Sequence, residues 1–308
     1  MSTLNIQENV SLKSRTTFDI GGTARYFVDV HTEDEIREAT KWAKDKNIRF
    51  LVIAGGSNLL LPDEGLDALV ICIDNSNLSF RSTMLEAEAG CNLLALIRTA
   101  TTHGLGGWEK LAGIPGTIGG AVRGNAGAFG PEIKDFVVRV RALNSETGEI
   151  GEFENVECDF SYRHSFFKKH SEWIVTRALL ELEETDPKES AALIERTIAE
   201  REKRHIQNVR AAGSFFVNPV VPQEIQEMFE KEKGMKSREG RVPAGWLIEK
   251  AGMKGARVGD AVASPQHPNY LMNAGEAKSG DVRKLAQMIQ EAVKDKFGVT
   301  LEEEAAVF

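Results

Sequence analysis

The residues best equipped for chemistry in this chain are, unusually, glycines. The run Gly113–Gly130, GIPGTIGGAVRGNAGAFG, holds seven glycines in eighteen residues, with Ile114, Ile118, Val122 and Phe129 threaded between them. Glycine loses more conformational freedom on folding than any other residue, so such density needs a return. Flexible linkers favour Ser, Lys and Glu over isoleucine and phenylalanine. The pattern therefore reads as backbone that packs and also approaches a ligand closely, its freed N–H groups forming an anion nest. About sixty residues earlier stands AGGSNLL (54–60), where Ser57 and Asn58 add side-chain donors to another turn. A Gly-Gly-Ser-Asn turn alone is commonplace; paired with the later cluster, it suggests two nests gripping one pyrophosphate from two sides. Neither known nucleotide loop fits: there is no G-x-G-x-x-G and no G-x-x-x-x-G-K-[ST]. After the turn, Leu59-Leu60-Leu61-Pro62 cannot open the long helix that a Rossmann turn needs.

The elements that must position these loops follow from pattern. Tyr26–Val30 reads as a strand, and Thr32 with Glu35 forms a capping box opening a helix that buries Ile36, Ala39 and Ala43. Arg49–Ile53, Ala68–Ile73 and Met84–Ala89 read as strands. Asn92 caps a helix running through Thr102 to Gly104. Phe136–Leu143 and Glu149–Phe153 form a hairpin, and Trp173–Leu182 a further strand. Asp186-Pro187-Lys188-Glu189 opens a helix expected to reach about His205. Beyond it come helices near Pro222–Lys231, Ala244–Ala251 and Asp281–Phe297, with Val299–Phe308 as a closing strand. The change of pattern after the charged stretch 200–204 marks a domain boundary, with domains expected at 1–204 (subdivided near 74) and 205–308.

Composition narrows the function. The net charge is −8 and the basic residues are scattered, which argues against nucleic acid or an anionic membrane as partner. A small anionic ligand held by local arginines remains compatible. Three cysteines, Cys72, Cys91 and Cys158, lie far apart and show neither a disulfide framework nor zinc-ligand spacing. No signal-peptide plan and no membrane-spanning run is visible, so the expectation is a cytoplasmic protein. None of the six histidines stands at metal-ligand spacing, so no metal site is expected.

Five motifs in order, TTFDIGG (16–22), AGGSNLL (54–60), the cluster at 113–130, SYRHSFFK (161–168) and AGSFFVNP (212–219), resemble the UDP-N-acetylenolpyruvoylglucosamine reductase family over nearly the whole chain. The resemblance implies an α+β fold: an FAD-binding domain of the vanillyl-alcohol-oxidase/p-cresol-methylhydroxylase type, then an α+β substrate-binding domain. It implies non-covalent FAD, NADPH as co-substrate, a UDP-sugar substrate and a monomer. Gly55, Gly56, Ser57, Asn58 and Leu59 match the first cofactor loop. Gly113, Ile114, Pro115, Gly116, Thr117, Gly119, Gly120 and Ala121 match the second. In the family, NADPH reduces FAD and the reduced flavin then converts an enolpyruvyl ether to a lactyl ether.

That chemistry adds hydride to an alkene conjugated with a carboxylate. It needs cations at the carboxylate, where charge develops, and an acid at the α-carbon. By the resemblance, Arg163 takes the first role; its planar fork suits a carboxylate, although a lone arginine is ordinarily a surface residue. Ser214 matches the proton donor, and read without the family it is equally a turn serine. Tyr162 and Asn218 match substrate-binding positions; Asn218 equally suits a turn cap before Pro219. Glu304 matches the acid of the terminal strand, where the register from Leu301 selects it. LEEEAA (301–306) departs from the family's Leu-Glu-Pro-Glu-Val-Arg, which leaves Glu302 or Glu303 as alternatives, and carboxylates off the core face are usually just solvated. The segment 207–212 is shorter than the family's and free of proline, and Val217 stands where a basic residue is common, with Arg210 a candidate to compensate. The short span from Arg163 to Ser214 resembles the branch lacking a tyrosine-bearing insertion. Two other readings share the glycine loops: an FAD-dependent oxidase or dehydrogenase of the same fold, and a flavin-binding protein without activity.

Overall fold

A computed structural model describes residues 4–204 and 209–308. In chain order the elements are β1 (Gln7–Ser11), β2 (Thr23–Val30), α1 (Glu33–Asp45), β3 (Phe50–Ile53), β4 (Leu59–Leu60), β5 (Leu66–Ile73), β6 (Leu78–Arg81), β7 (Met84–Glu88), α2 (Leu93–Thr102) and β8 (Leu105–Gly106). Next come α3 (Ile118–Gly124), β9 (Val137–Asn144), β10 (Ile150–Glu154), α4 (Phe166–Lys169), β11 (Trp173–Glu181), β12 (Glu183–Glu184) and α5 (Pro187–Arg204). The last are α6 (Gln223–Lys233), α7 (Ala244–Lys250), β13 (Arg257–Val258), β14 (Ala261–Ala263), β15 (Leu271–Asn273), α8 (Ser279–Phe297) and β16 (Ala306–Val307).

The chain divides into two compact units, and neither is continuous. The first comprises Met1–Val10, Ala24–Gly56 and Leu66–Lys203; the second comprises Ser11–Thr23, Ser57–Gly65 and Arg204–Phe308. The expected domain 1–204 thus differs by two excursions, 11–23 and 57–65, that belong with the C-terminal residues. Their apolar side chains explain this: Phe18, Ile20 and Leu60 are buried in one cluster with Phe215, Phe216, Leu301 and Ala305. The end expected for α5 at His205 lies outside the described residues.

In the first unit, β2 and β3 both pair in parallel with β5, and β1 borders β2. The crossover α1 follows its local signals: the Thr32 hydroxyl accepts Glu35 N–H at 3.1 Å, and Ile36, Ala39, Thr40 and Ala43 are buried. A second, antiparallel sheet runs β10-β9-β11-β7-β6. Asn92 caps α2 by accepting Ala95 N–H at 3.0 Å, and Asp186 accepts from Lys188 and Glu189 at the start of α5. One element runs against sequence expectation: α3 is a helix inside the glycine cluster, capped by Thr117 and ended by Asn125 in the left-handed region (φ 43°).

In the second unit, α8 lays Val282, Leu285, Ala286, Ile289 and Val293 into the core beside the small sheet β13-β14-β15. The expected closing strand 299–308 is only partly formed. Residues 299–305 make isolated bonds and bend at Ala305, after which β16 pairs in parallel with β4. Val299, Leu301 and Ala305 are buried as alternation requires, but Glu303, of the same parity, is exposed.

Candidate functional site

In the first unit the two glycine loops adjoin. A Cβ placed on Gly55 would meet the Gly116 Cα at 3.2 Å. Gly56 takes φ +59° and Gly116 φ +117°, backbone states that glycine alone adopts without strain. The amides of Gly55, Gly56, Gly116 and Thr117 find no partner among the described residues, and Gly56 is buried. A buried amide without a partner is rare in a finished fold, and that of Gly56, with the half-buried ones of Gly116 and Thr117 and the exposed one of Gly55, makes a set of donors for an anion.

The amides that follow do not join this set. Ile118 donates to Cys91 O, Gly119 to Ala89 O (both 2.9 Å), and Gly120 to the Thr117 hydroxyl at 3.4 Å. Gly119 also turns inward: a Cβ there would meet the Ala89 Cβ at 2.7 Å. Its reason for being glycine is the packing of α3 on the end of β7. Gly120 faces the other way, exposed and with nothing nearer its Cβ position than the Thr117 hydroxyl at 3.8 Å. One turn on, Gly124 is equally open and Arg123 is exposed. Thr117, Gly120, Arg123 and Gly124 thus form a bare helix face beside the unpaired amides. Arg123 escaped sequence reading. The protein around it pushes its guanidinium below the ordinary value, yet its surface stays open and no partner meets it among the described residues. Ile114 donates to Leu111 O at 3.2 Å, holding the loop's start, while Pro115 is exposed and Ala121 buried. A Cβ on Gly113 would meet the Arg201 side chain at 3.0 Å.

Arg163 stands at the tip of a tight turn closed by mutual bonds between Ser161 and His164, N–H to C=O in both directions (3.1 and 3.0 Å). Its φ is +56°, a conformation that costs a non-glycine residue on the order of 1 kcal/mol or more. The turn is fastened to the end of α3. Asn125, fully buried, donates to Ser161 O at 2.8 Å, and the Ser165 hydroxyl donates to Arg123 O at 2.7 Å. The Arg163 Nη2 donates to Gly127 O at 3.0 Å, and its Cζ lies 5.0 Å from the Tyr162 ring centre. The sequence signal for Asn125 was available, since an asparagine after Gly124 is apt for the left-handed cap.

Ser57, Asn58 and Leu59 fall in the second unit, where the C-terminal segment holds them. The Asn58 amide donates to Glu304 O at 3.0 Å, Asn58 O accepts Ala306 N–H at 3.0 Å, and Leu59 pairs with Ala306. One of the two Asn58 amide N–H groups is thus engaged by Glu304 O, which leaves its second N–H and its side-chain oxygen.

Ser214 and Glu304 are brought together through backbone. Glu304 N–H donates to Phe215 O at 2.8 Å, Val217 N–H to Glu302 O at 2.9 Å, and Phe216 bridges to Glu303. Ser214 and Glu304 are half-buried, whereas Glu302 and Glu303 are exposed. The surrounding protein nonetheless raises the Glu303 carboxyl above its usual range, with Arg283 opposing. Asn218 accepts Ala244 N–H at 2.9 Å and so tethers the start of α7, while its carbonyl accepts from Arg241. Its side-chain oxygen therefore serves the fold, as the turn-cap reading allowed. Arg210 pairs with Asp19 at 3.1 Å, which commits the cation suggested as a compensator. Of segment 207–212, Gln207 and Asn208 lie outside the described residues.

The thiols are not site groups: all three cysteines are buried and outside any disulfide, and burial pushes Cys158 up to about 12.

Two family models match the chain: "UDP-N-acetylenolpyruvoylglucosamine reductase, C-terminal domain" over residues 204–308 and "FAD binding domain" over residues 24–154. Proteins named UDP-N-acetylenolpyruvoylglucosamine reductase from Pseudomonas fluorescens and Solibacter usitatus are each 35% identical to it. The alignments cover 99% of this chain and 100% of the first relative, and 98% and 96% for the second. The crystal structure of the reductase (MurB) from Thermus caldophilus superposes with a TM-score of 0.79 at 31% identity, over 99% of both chains.

Proposed function

The chain belongs to the UDP-N-acetylenolpyruvoylglucosamine reductase family, and we propose that within it Arg163, Ser214 and Glu304 carry the reduction. It is an FAD-containing oxidoreductase of peptidoglycan precursor synthesis. With NADPH as reductant, it converts UDP-N-acetylglucosamine enolpyruvate to UDP-N-acetylmuramate. FAD, when bound, supplies the two-electron chemistry.

The residues that would hold FAD are Gly55 and Gly56, then Ser57, Asn58 and Leu59, with Gly113–Ala121 as the second loop. The unpaired amides of Gly55, Gly56, Gly116 and Thr117 support this reading, as does the bare face at Gly120. Gly119 contributes from behind by letting α3 pack against Ala89. The Arg163 fork binds the enolpyruvyl carboxylate and stabilises the negative charge that builds there. It stays protonated throughout. The Ser214 hydroxyl holds the proton destined for the α-carbon, and Glu304 is the acid of the terminal segment. Tyr162 steadies the Arg163 guanidinium through its ring face, and Asn218 serves substrate through its remaining amide donors.

One observation carries the assignment of Glu304 over its neighbours: it alone of the three glutamates is half-buried, and its N–H donates to the carbonyl of Phe215, the residue after Ser214. We further infer a monomer acting in the cytoplasm; three buried thiols outside any disulfide support the reducing compartment. Among the described residues, no helix is long and apolar enough to cross a membrane. The test is anaerobic: purified yellow protein is bleached with NADPH, then mixed with the enolpyruvyl substrate. Recovery of the oxidised spectrum with one lactyl ether formed per flavin supports the reading. Bleaching without recovery in the native protein, or recovery undiminished in Arg163→Ala, contradicts it.

A further inference from the structure

We propose that Asn269 is a positioning residue for the reduction, holding the backbone of Phe215 and Phe216 so that Ser214 stays beside Glu304; this rests on the reading of Ser214 as proton donor. Asn269 lies between β14 and β15 and is 2% exposed. Its side chain does what a neighbouring strand would do. Oδ1 accepts Phe216 N–H at 2.9 Å and Nδ2 donates to Phe216 O at 2.9 Å, while its own carbonyl accepts Phe215 N–H at 2.7 Å. The Phe215 carbonyl in turn accepts Glu304 N–H at 2.8 Å. The peptides following Ser214 are therefore bracketed, with Asn269 on one side and Glu304 on the other.

On the other flank the nearest tie is at Ala211, whose carbonyl accepts the Thr17 hydroxyl at 2.7 Å and which bridges to Met272. Between that tie and Ser214, Gly213 takes φ +71°, and among the described residues nothing lies within 4 Å of where its Cβ would be. The restraint nearest the hydroxyl thus comes from the Phe215 side. Only a side chain with one donor and one acceptor at this reach satisfies both groups of Phe216. Aspartate offers two acceptors and alanine offers none. The two phenylalanines are each 1% exposed and pack edge to face at 5.2 Å between ring centres. They keep the segment in the core when Asn269 is changed, so the expected result is a displaced loop in a folded protein.

The experiment uses the flavin-loaded enzyme and follows each half-reaction in a stopped-flow instrument across pH. In Asn269→Asp the carboxylate accepts Phe216 N–H but faces the Phe216 carbonyl with a second acceptor. Reoxidation by the enolpyruvyl substrate is expected to slow by about 10²-fold, the scale of an ångström-sized misplacement, with reduction by NADPH unchanged. Acidification protonates the buried carboxyl, whose O–H then donates to Phe216 O, so the reoxidation rate recovers as pH falls. Asn269→Ala, measured alongside, should be slow at every pH, and it replaces the aspartate variant if that one does not fold. Equal slowing of both half-reactions without recovery on acidification marks a structural residue and overturns the proposal. So does native-like reoxidation in Asn269→Asp when Ser214→Ala is slow. Native-like reoxidation in Ser214→Ala itself refutes the proton-donor reading, and the role of Asn269 falls with it.

Discussion

Gly119 and Gly120 are adjacent, and alanine at each should have opposite consequences. At Gly119 the new methyl sits 2.7 Å from the Ala89 Cβ, 3.1 Å from Ala89 O and 3.3 Å from Ala89 Cα. Carbon atoms rest at about 3.5–4.0 Å, so α3 must retreat by roughly 1 Å, straining the Gly119 N–H bond to Ala89 O. Overpacking of this kind costs about 1–3 kcal/mol, and a weakened hydrogen bond adds about 1 kcal/mol. The helix propensity of alanine returns about 1 kcal/mol. The net loss is about 1–3 kcal/mol, or several degrees in the unfolding temperature of the flavin-free protein. At Gly120 the nearest atom is 3.8 Å away, so alanine should leave the flavin-free protein as stable or slightly more so. That methyl nevertheless projects from the face assigned to the flavin. A clash of 1–3 kcal/mol there weakens FAD binding by about 5–150-fold. Thermal unfolding of the apoprotein and titration with FAD separate the two effects. Native FAD affinity in Gly120→Ala, together with no thermal loss in Gly119→Ala, would falsify the assignment of the two faces.

Other expectations follow from single residues. Arg163→Gly relieves a positive φ, so it should unfold no earlier than the native protein while losing at least 10²-fold in substrate reoxidation; an early-melting variant would show the turn depends on the side chain. Glu304→Gln should lose far more turnover than Glu302→Gln or Glu303→Gln, and equal mild effects would mean an acidic edge without a catalytic role. Burial holds His267 below its ordinary value of about 6.5. The unfolded chain therefore takes up a proton first, and stability falls as pH drops below about 6.5 towards the folded-state value, with no contribution above it. His267→Gln should flatten that slope in denaturant titrations at pH 7.5 and 5.5, and an unchanged slope would show that this histidine does not contribute.

Elements with local signals were legible in the sequence. Thr32, Asn92 and Asp186 cap helices as their side chains suggest, because capping involves neighbours three residues apart. Helix α3 was not legible. Three glycines in Ile118–Gly124 count against a helix locally, and the bonds of Ile118 and Gly119 to Cys91 and Ala89 outweigh them. The excursions 11–23 and 57–65 were hidden for a related reason, since pairing of β4 with β16 joins residues far apart in sequence. At the C-terminus Val299, Leu301 and Ala305 are buried in alternation but Glu303 is not, because residues 299–305 make isolated bonds instead of a regular strand. At the site, the glycine spacing announced two loops, but a residue without a side chain gives no pattern from which to tell the inward Gly119 from the outward Gly120. Arg123 and Asn269 gain meaning only from surroundings that tertiary structure supplies.

The assignment of Ser214 as proton donor is tested most directly by stopped-flow measurement of both half-reactions in Ser214→Ala. Reduction of the bound flavin by NADPH should proceed at the native rate, because it does not use the hydroxyl. Reoxidation by the enolpyruvyl substrate should slow by about 10²–10⁴-fold, the range of general acid catalysis. If both half-reactions slow equally, or if reoxidation keeps its native rate, Ser214 is not the acid and the account of this site is wrong.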